Sequence, residues 1–306
     1  MTKYKQIFLG QNGHNLNEGF PDNFSVYFDW VVLPMDMNIP PLIRKKTDNP
    51  KTVYVKTDYL KPFLDNILKK IPGDFILITG ASDFSPQVSW RNYHFNEYYK
   101  KIIENPHLKL WYTNNLRFKE DKIFSLPCGI GAGKYWDGCT AEEVDNLILE
   151  IRDHSLKLNK IEDKVFCSFR EAFFNVCGDD MLIRPGIMQI VNSHIDLFDI
   201  YEPDNKPSKE SFIKFLKNLT KYKYALCPHG NGMDPSPTAW LALAMGVIPV
   251  IYKTPNVVDM FDGTNSVIFF ENFPEISDKN LYQDREPINF EFLTCEYWAN
   301  KIKSKI

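Results

Sequence analysis

From residue 53 onward, short apolar runs alternate with stretches of helical periodicity, and this alternation restricts the fold more than any other feature. "TVYVKT" (52–57) and "FILITG" (75–80) predict strands, and apolar residues recur at helical spacing between them. A helix near "NEYYKKIIEN" leads to two further strands at "LKLWYTN" and "KIFSLP". Strands that alternate with helices in this way predict βαβ units and a mostly parallel sheet.

A second α/β series begins at "KVFCSF" (164–169) and continues through strands at "YALCP", "VIPVIY" and "SVIFF". The polar stretch 152–163 separates the two series and is the predicted linker. At 306 residues the chain exceeds the usual size of one compact domain. We therefore expect two Rossmann-like α/β domains with an interdomain cleft: an N-terminal domain (1–158), a second domain (159–286), and a C-terminal helix (287–306) that packs back toward the first.

Composition and charge exclude several classes of partner. Hydrophobic residues make up 44% of the chain and charged residues 25%, which is ordinary for a folded protein. The net charge of −3 provides no general attraction to nucleic acid or to an anionic membrane. No apolar run reaches the roughly 18 residues that cross a bilayer, and the first residues lack the apolar core of a signal peptide. We expect a cytoplasmic protein with no transmembrane segment and no nucleic-acid partner.

The common cofactor and metal motifs are absent from the sequence. "GIGAGK" (129–134) lacks the spacing of both a Walker loop and a dinucleotide-binding turn. The chain contains no H-E-x-x-H, no C-x-x-C and no acidic D-x-D. No metal and no resident cofactor are predicted.

The densest polar segment of the chain lies between a predicted strand and an apolar helix. Ser236 suits the N-cap of this helix, Pro237 its first position, and Gly246 the position after its end. The first turn then presents unbonded N–H groups and a partial positive charge, which favour an anion. The candidate donor-binding residues of this segment are His229, Gly230, Asn231, Gly232, Asp234, Ser236 and Thr238. A capped loop of solvated polar residues, with His229 satisfied by backbone, explains the pattern equally well.

The segment "YALCPHGNGMDPSPTAWLALAMGVIPVI" resembles the nucleotide-sugar-binding segment of exostosin-like and related glycosyltransferases of GT-B architecture. The matching positions are Cys227, Pro228, Gly230, Ser236, Ala242, Gly246, Pro249 and Val250. Thr238 and Leu241 stand where the family has arginine and glutamate. "KVFCSFR" resembles the first strand and loop of the family's donor-side domain, and this likeness adds Ser168 and Arg170 to the donor-binding candidates. The resemblance implies a GT-B-like fold and transfer of a sugar, without metal, from a nucleotide diphosphate (UDP-sugar favoured) to a saccharide hydroxyl.

Sugar transfer from such a donor requires two kinds of side chain. The departing diphosphate needs cations, and Arg170 and Arg184 are the candidates, although a surface ion pair is an equally ordinary role for each. An acceptor hydroxyl needs a base, and Asp83, which follows "FILITG", is the first candidate and His14 the second. Asp83 is equally suited to cap the turn in which it lies.

Two alternatives stay open at this stage. One is a GDP-sugar enzyme resembling fucosyltransferases, although "TAW" stands where the Thr-Glu-Lys signature of that family is expected. The other is a carbohydrate- or nucleotide-binding protein of the same fold that has no catalytic turnover. Donor hydrolysis distinguishes an enzyme from such a binding protein.

Overall fold

The computed structural model describes residues 24–33, 42–89, 94–130, 141–169, 183–202, 204 and 208–306. The first half of the chain builds a sheet with the strand order β2–β1–β3–β4–β5–β6, in which only β1 and β2 pair antiparallel. Its strands are β1 (Trp30–Leu33), β2 (Leu42–Lys45), β3 (Thr52–Lys56), β4 (Phe75–Gly80), β5 (Leu108–Thr113) and β6 (Ile123–Ser125). Its helices are α1 (Leu60–Asn66), α2 (Phe95–Ile103) and α3 (Ala141–Ser155).

The second half builds a fully parallel sheet with the order β11–β10–β9–β7–β8. Its strands are β7 (Ile161–Cys167), β8 (Phe198–Ile200), β9 (Tyr222–Leu226), β10 (Ile248–Tyr252) and β11 (Ile268–Phe270). Its helices are α4 (Ile183–Ser193), α5 (Lys209–Leu219), α6 (Pro237–Ala244), α7 (Pro255–Met260) and α8 (Cys295–Lys303). The predicted fold class, α/β with two mostly parallel sheets, is confirmed.

The connection between the two sheets is shorter than predicted. Helix α3 continues to Ser155 and β7 begins at Ile161, so residues 156–160 alone connect them. The helix extends this far because Val144, Ile148 and Ile151 form one buried stripe beneath a charged outer face. The described helices include none that is both long enough and apolar enough to span a bilayer.

The strand order of the second sheet changes direction between β7 and β9. From β7 the chain moves outward to β8, then returns to pair β9 with the opposite side of β7. In open parallel α/β sheets, ligands bind outside the carboxyl ends of the strands at such a switch point. The loops after Cys167 and Leu226 are therefore where a ligand site is expected.

Helix α6 lies inside a core that both halves share. Every residue from Ala239 to Ala244 is buried, in agreement with the apolar helix that the sequence indicates at this position. Trp240 stacks on Phe261 at 5.2 Å and on Phe292 at 6.1 Å between ring centroids. The same buried cluster includes Phe28 of the first half, and this packing holds α6 rigidly between the layers.

The C-terminal end of α6 is closed by a Schellman motif at Gly246, as the sequence predicts. Val247 N–H donates to Ala242 O at 2.8 Å and Gly246 N–H to Leu243 O at 3.1 Å. Gly246 has φ +63°, a conformation that glycine adopts without steric cost.

The ammonium group of Lys160 binds the C-terminal ends of three helices. Its Nζ donates to Ser155 Oγ at 3.1 Å, to Thr220 O at 3.2 Å and to Met245 O at 3.3 Å. These acceptors end α3, α5 and α6, where helix dipoles favour a cation. Together with the Schellman motif, this contact fixes the end of α6 that lies away from the switch point.

Substitution Lys160→Met is expected to lower the free energy of unfolding by about 1–3 kcal/mol, because it leaves partly buried acceptors without their donor. Urea unfolding measures the change. The control is Lys157→Met, which alters an exposed lysine of the same connection and is expected to change stability by less than about 0.5 kcal/mol. Equal effects from the two substitutions contradict this role for Lys160.

Candidate functional site

The carboxyl edges of the two sheets meet at one loop. This β9 loop (residues 227–236) connects β9 to α6 at the switch point of the second sheet. It contacts two loops of the first sheet, the β4 loop (residues 81–83) and the β5 loop (residues 114–115). The candidate site therefore contains residues of both halves.

Asn115 joins all three loops through one side chain. Its Oδ1 accepts hydrogen bonds from Met233 N–H at 2.8 Å and Asp234 N–H at 3.0 Å. Its Nδ2 donates to Ser82 O at 2.9 Å. Asn115 has φ 51°, in the left-handed region where asparagine is enriched. The sequence-based predictions assigned no role to this residue.

Gly232 allows the side chain of Asn115 to approach the β9 loop. A Cβ at Gly232 would lie 2.5 Å from Asn115 Cγ and closer still to its Oδ1, where no real Cβ fits. The prediction was that glycine here lets the backbone approach a ligand. In the structure, the group that approaches Gly232 is an amide of the first half.

The Asp234 carboxylate also faces the first half. Its Oδ2 accepts Asn115 N–H at 3.0 Å, and the side chain of Asn114 hydrogen-bonds to it as well. Asp234 is 5% exposed. Burial raises the pKa of Asp234 to about 7, and the two hydrogen bonds offset part of that rise. Asp234, predicted as a donor-binding residue, lies at the contact between the halves.

Asn114 ties the ends of three strands to this contact. Its Oδ1 accepts Ala81 N–H at 3.2 Å, and its Nδ2 donates to Leu126 O at 2.6 Å. Ala81 and Leu126 follow β4 and β6 directly, on either side of β5. The carboxyl ends of β4, β5 and β6 are thereby held in one rigid edge that faces the β9 loop.

Arg184 brings a half-buried cation to the β9 loop. It lies in the first turn of α4, and its Nε donates to His229 O at 2.6 Å. Its Nη2 lies 3.8 Å from the position that a Cβ would take on Gly230. Burial lowers the pKa of Arg184 from its ordinary value. An anion beside a half-buried guanidinium is favourable, because it offsets part of the cost of removing the charge from water.

The imidazole of His229 points into the second half. His229 is 3% exposed, its Nε2 lies 3.3 Å from Tyr252 O, and its ring meets that of Tyr252 edge-on. The backbone carbonyl of His229 binds Arg184, and the role of His229 in donor binding stays a prediction.

Asp83 and Asn231 meet across the two halves. Asn231 Nδ2 donates to Asp83 Oδ2 at 3.3 Å. Asn231 is exposed and Asp83 is half-buried, so this contact lies at the surface of the site. The candidate base from the first half and a candidate donor-binding residue from the second are therefore adjacent.

Ser236 and Pro237 take the N-cap and first positions of α6 as predicted, but the helix has no side-chain cap. Ser236 occupies the N-cap position, but its hydroxyl accepts no hydrogen bond from the first turn. The following Pro237 holds Ser236 in an extended conformation and supplies no amide of its own. The carbonyl of Ser236 accepts Ala239 N–H at 2.9 Å, and Thr238 in the first turn is half-buried.

Of the three remaining candidate site residues, the structure describes only Ser168. Ser168 directly follows β7 and is buried at the switch point, beside the start of the β9 loop. Arg170 and His14 lie outside the described residues. Among the described residues, no group of three or more His, Cys, Asp and Glu side chains is arranged to hold a metal ion.

Solved structures similar to this chain include two glycosyltransferases. No family model matches the sequence, and no curated protein matches it significantly, so the exostosin-like resemblance stays a prediction. An alpha1,3-fucosyltransferase has a TM-score of 0.38 and 14% identity over 85% of this chain and 78% of that one. The iron-containing dodecameric glycosyltransferase TibC from enterotoxigenic E. coli H10407 has a TM-score of 0.23 and 12% identity over 90% of this chain and 81% of that one. At these TM-scores neither structure assigns a function to this chain.

The raised pKa of Asp234 predicts a pH-dependent stability. The folded protein binds this proton more tightly than the unfolded chain, because the pKa rises from 3.8 to about 7 on folding. Its contribution to stability therefore falls as pH rises from about 4 to about 7, and is constant above that range. Substitution Asp234→Asn removes the ionisation, so the variant gains stability relative to the wild type as pH rises from about 4 to about 7.

Urea unfolding of both proteins across this pH range measures the difference. Asp121→Asn, which alters an exposed aspartate, is the control and is expected to give a constant small difference. A constant difference for Asp234→Asn as well contradicts the assignment of a raised pKa to Asp234.

Proposed function

We propose that the chain is a glycosyltransferase that moves a sugar from a nucleotide diphosphate, UDP in preference, to a saccharide hydroxyl. One observation carries the proposal: an arginine and a carboxylate, both half-buried and from different halves, reach the same loop at the topological switch point. Arg184 binds the carbonyl of His229, and Asp83 binds the side chain of Asn231. A cation for the leaving group and a base for the acceptor are the two groups that sugar transfer needs.

The diphosphate of the donor is proposed to bind between Arg184 and the start of α6. Arginine presents N–H donors in a planar fork that matches phosphate oxygens, and the bond from Nε to His229 O fixes the plane of that fork. The first turn of α6 has no side-chain cap, so its amides and dipole favour an anion at the same place. In this proposal Arg184 and α6 carry the negative charge of the leaving group without a metal ion. Arg170 is proposed as a second cation.

The acceptor hydroxyl is proposed to lose its proton to Asp83. The amide of Asn231 donates to one carboxylate oxygen, which orients the group, while the other oxygen is the proton acceptor. His14 stays the second candidate for this role. Gly230, Asn231, Ser236, Thr238 and Ser168 are proposed to contact the donor, since they lie on the loops that border the switch point.

The proposed function is tested by calorimetric titration with UDP and GDP, followed by a sugar-nucleotide hydrolysis assay with and without EDTA. The expected result is UDP binding, hydrolysis of a UDP-sugar and no effect of EDTA. Tighter binding of GDP favours the fucosyltransferase-like alternative, and binding without hydrolysis or transfer favours a non-catalytic binding protein. Absence of binding by either nucleotide overturns the proposal.

Substitution Arg184→Ala is expected to weaken UDP binding by about 10- to 100-fold, the range for loss of a hydrogen-bonded charge. Titration calorimetry measures the affinity. The matched control is Arg285→Ala, because Arg285 also donates through Nε to a backbone carbonyl, that of Val267 at 3.1 Å. It lines a cavity of about 550 Å³ beside residues 156–160, at the opposite edge of the second sheet. Comparable losses in both variants contradict a diphosphate contact by Arg184.

Substitution Asp83→Asn is expected to lower the rate of sugar transfer by about 100-fold or more, since it removes the base and retains the shape of the side chain. Steady-state kinetics measures the turnover, and calorimetry is expected to show UDP affinity within about threefold of the wild type. Asp65→Asn, which alters an exposed aspartate of α1, is the control with normal turnover. Full activity in Asp83→Asn excludes Asp83 as the base.

A further inference from the structure

We propose that Asn115 is a positioning residue of this site, which sets the placement of the candidate base Asp83 relative to the β9 loop. This inference rests on the proposed function, because the loop and the base are those of the proposed transfer. Asn115 itself touches neither the reacting groups nor the diphosphate in this proposal. Asn115 acts through its hydrogen bonds to Ser82, Met233 and Asp234.

The geometry of the Asn115 amide connects both reacting sides. Its Oδ1 holds the N–H groups of Met233 and Asp234, two and three positions after Asn231. Its Nδ2 holds the carbonyl of Ser82, the residue before Asp83. Because a side-chain amide is planar and rigid, these bonds fix the backbone beside Asp83 relative to the backbone beside Asn231. This arrangement places Asn231 Nδ2 at 3.3 Å from Asp83 Oδ2.

Asn115 is itself rigidly placed. It is 4% exposed, and its backbone N–H donates to Asp234 Oδ2 at 3.0 Å. Each of Asn115 and Asp234 therefore binds the backbone amide of the other, which gives a reciprocal pair of bonds across the two halves. A Cβ at position 232 would collide with the Asn115 amide, so Gly232 leaves room for this side chain against the loop.

The halves do not depend on Asn115 to remain together. One buried cluster spans both halves, Asn256 Nδ2 donates to Leu116 O, and Lys119 forms an ion pair with Asp259 at 2.5 Å. Removing the Asn115 side chain leaves a polar space that water can occupy, which limits the loss of stability. We therefore expect a substitution at Asn115 to change ligand affinity and rate more than it changes folding.

Substitution Asn115→Gly tests this role, since glycine adopts the φ of 51° without strain and removes only the side chain. UDP affinity is expected to fall by about tenfold, and turnover at saturating donor by about 100-fold, the cost of a displacement near 1 Å. The comparison is Asn256→Ala, which removes an amide that also joins the halves but donates to Leu116 O and not to the β9 loop. Asn256→Ala is expected to lower the melting temperature and to leave UDP affinity within about twofold.

A double-variant cycle with Gly232→Ala tests the contact directly. In the wild type, the added Cβ collides with the Asn115 amide, so Gly232→Ala is expected to weaken UDP binding by about tenfold. In the Asn115→Gly background the space is open, and the same substitution is expected to change affinity by less than about twofold. Losses that multiply in the double variant, or an unchanged affinity and turnover in Asn115→Gly, overturn the proposal. If the wild type binds no nucleotide, the proposed function fails. If the wild type binds UDP but the variants behave otherwise than expected, only the inference about Asn115 fails.

Discussion

The site depends on how backbone groups are satisfied where the carboxyl edges of two parallel sheets face each other. Strand ends and loop amides buried between two sheets lose their contact with water, and each unpaired group costs about 1–3 kcal/mol. The structure meets this requirement with asparagine and aspartate side chains from both edges. The side chains of Asn114 and Asn115 bind backbone groups in the loops that follow β4, β6 and β9. The Asp234 carboxylate accepts the N–H of Asn115. Hydrogen bonds from the first half therefore help to fix the shape of the β9 loop.

The distribution of charge around this loop follows from burial. Asp234 is enclosed, which raises its pKa toward neutrality and makes it a poor partner for a solvated ligand. Asp83 is half-buried beside the exposed Asn231, where an acceptor hydroxyl has access to a carboxylate. Arg184 is half-buried and binds the loop through the carbonyl of His229, and burial lowers its pKa. Asp83 and Asp234 both lie in loops that follow a strand, but Asp83 is half-buried and Asp234 is buried.

The sequence predicted those features that depend on neighbours along the chain. Strands β3 to β7 and β9 to β11 coincide with apolar runs, and α6 ends at Gly246 as its local signals indicate. The short strands β1, β2 and β8 were not predicted, whereas the equally short β6 and β11 were. The role of Asn115 was also missed, since it depends on a contact with Asp234, 119 positions away. The polar pair at the end of the buried strand β5 was its only signal in the sequence.

The central claim is that a nucleotide diphosphate binds at the carboxyl edge of the second sheet, between Arg184 and the first turn of α6. A crystal structure of the protein with UDP tests this most directly. The account predicts that phosphate oxygens lie within hydrogen-bonding distance, about 2.7–3.2 Å, of the Arg184 guanidinium and of the Thr238 amide. It also predicts that the bonds from Asn115 to the β9 loop are retained. A diphosphate bound elsewhere, for example in the cavity beside residues 156–160, would contradict the account.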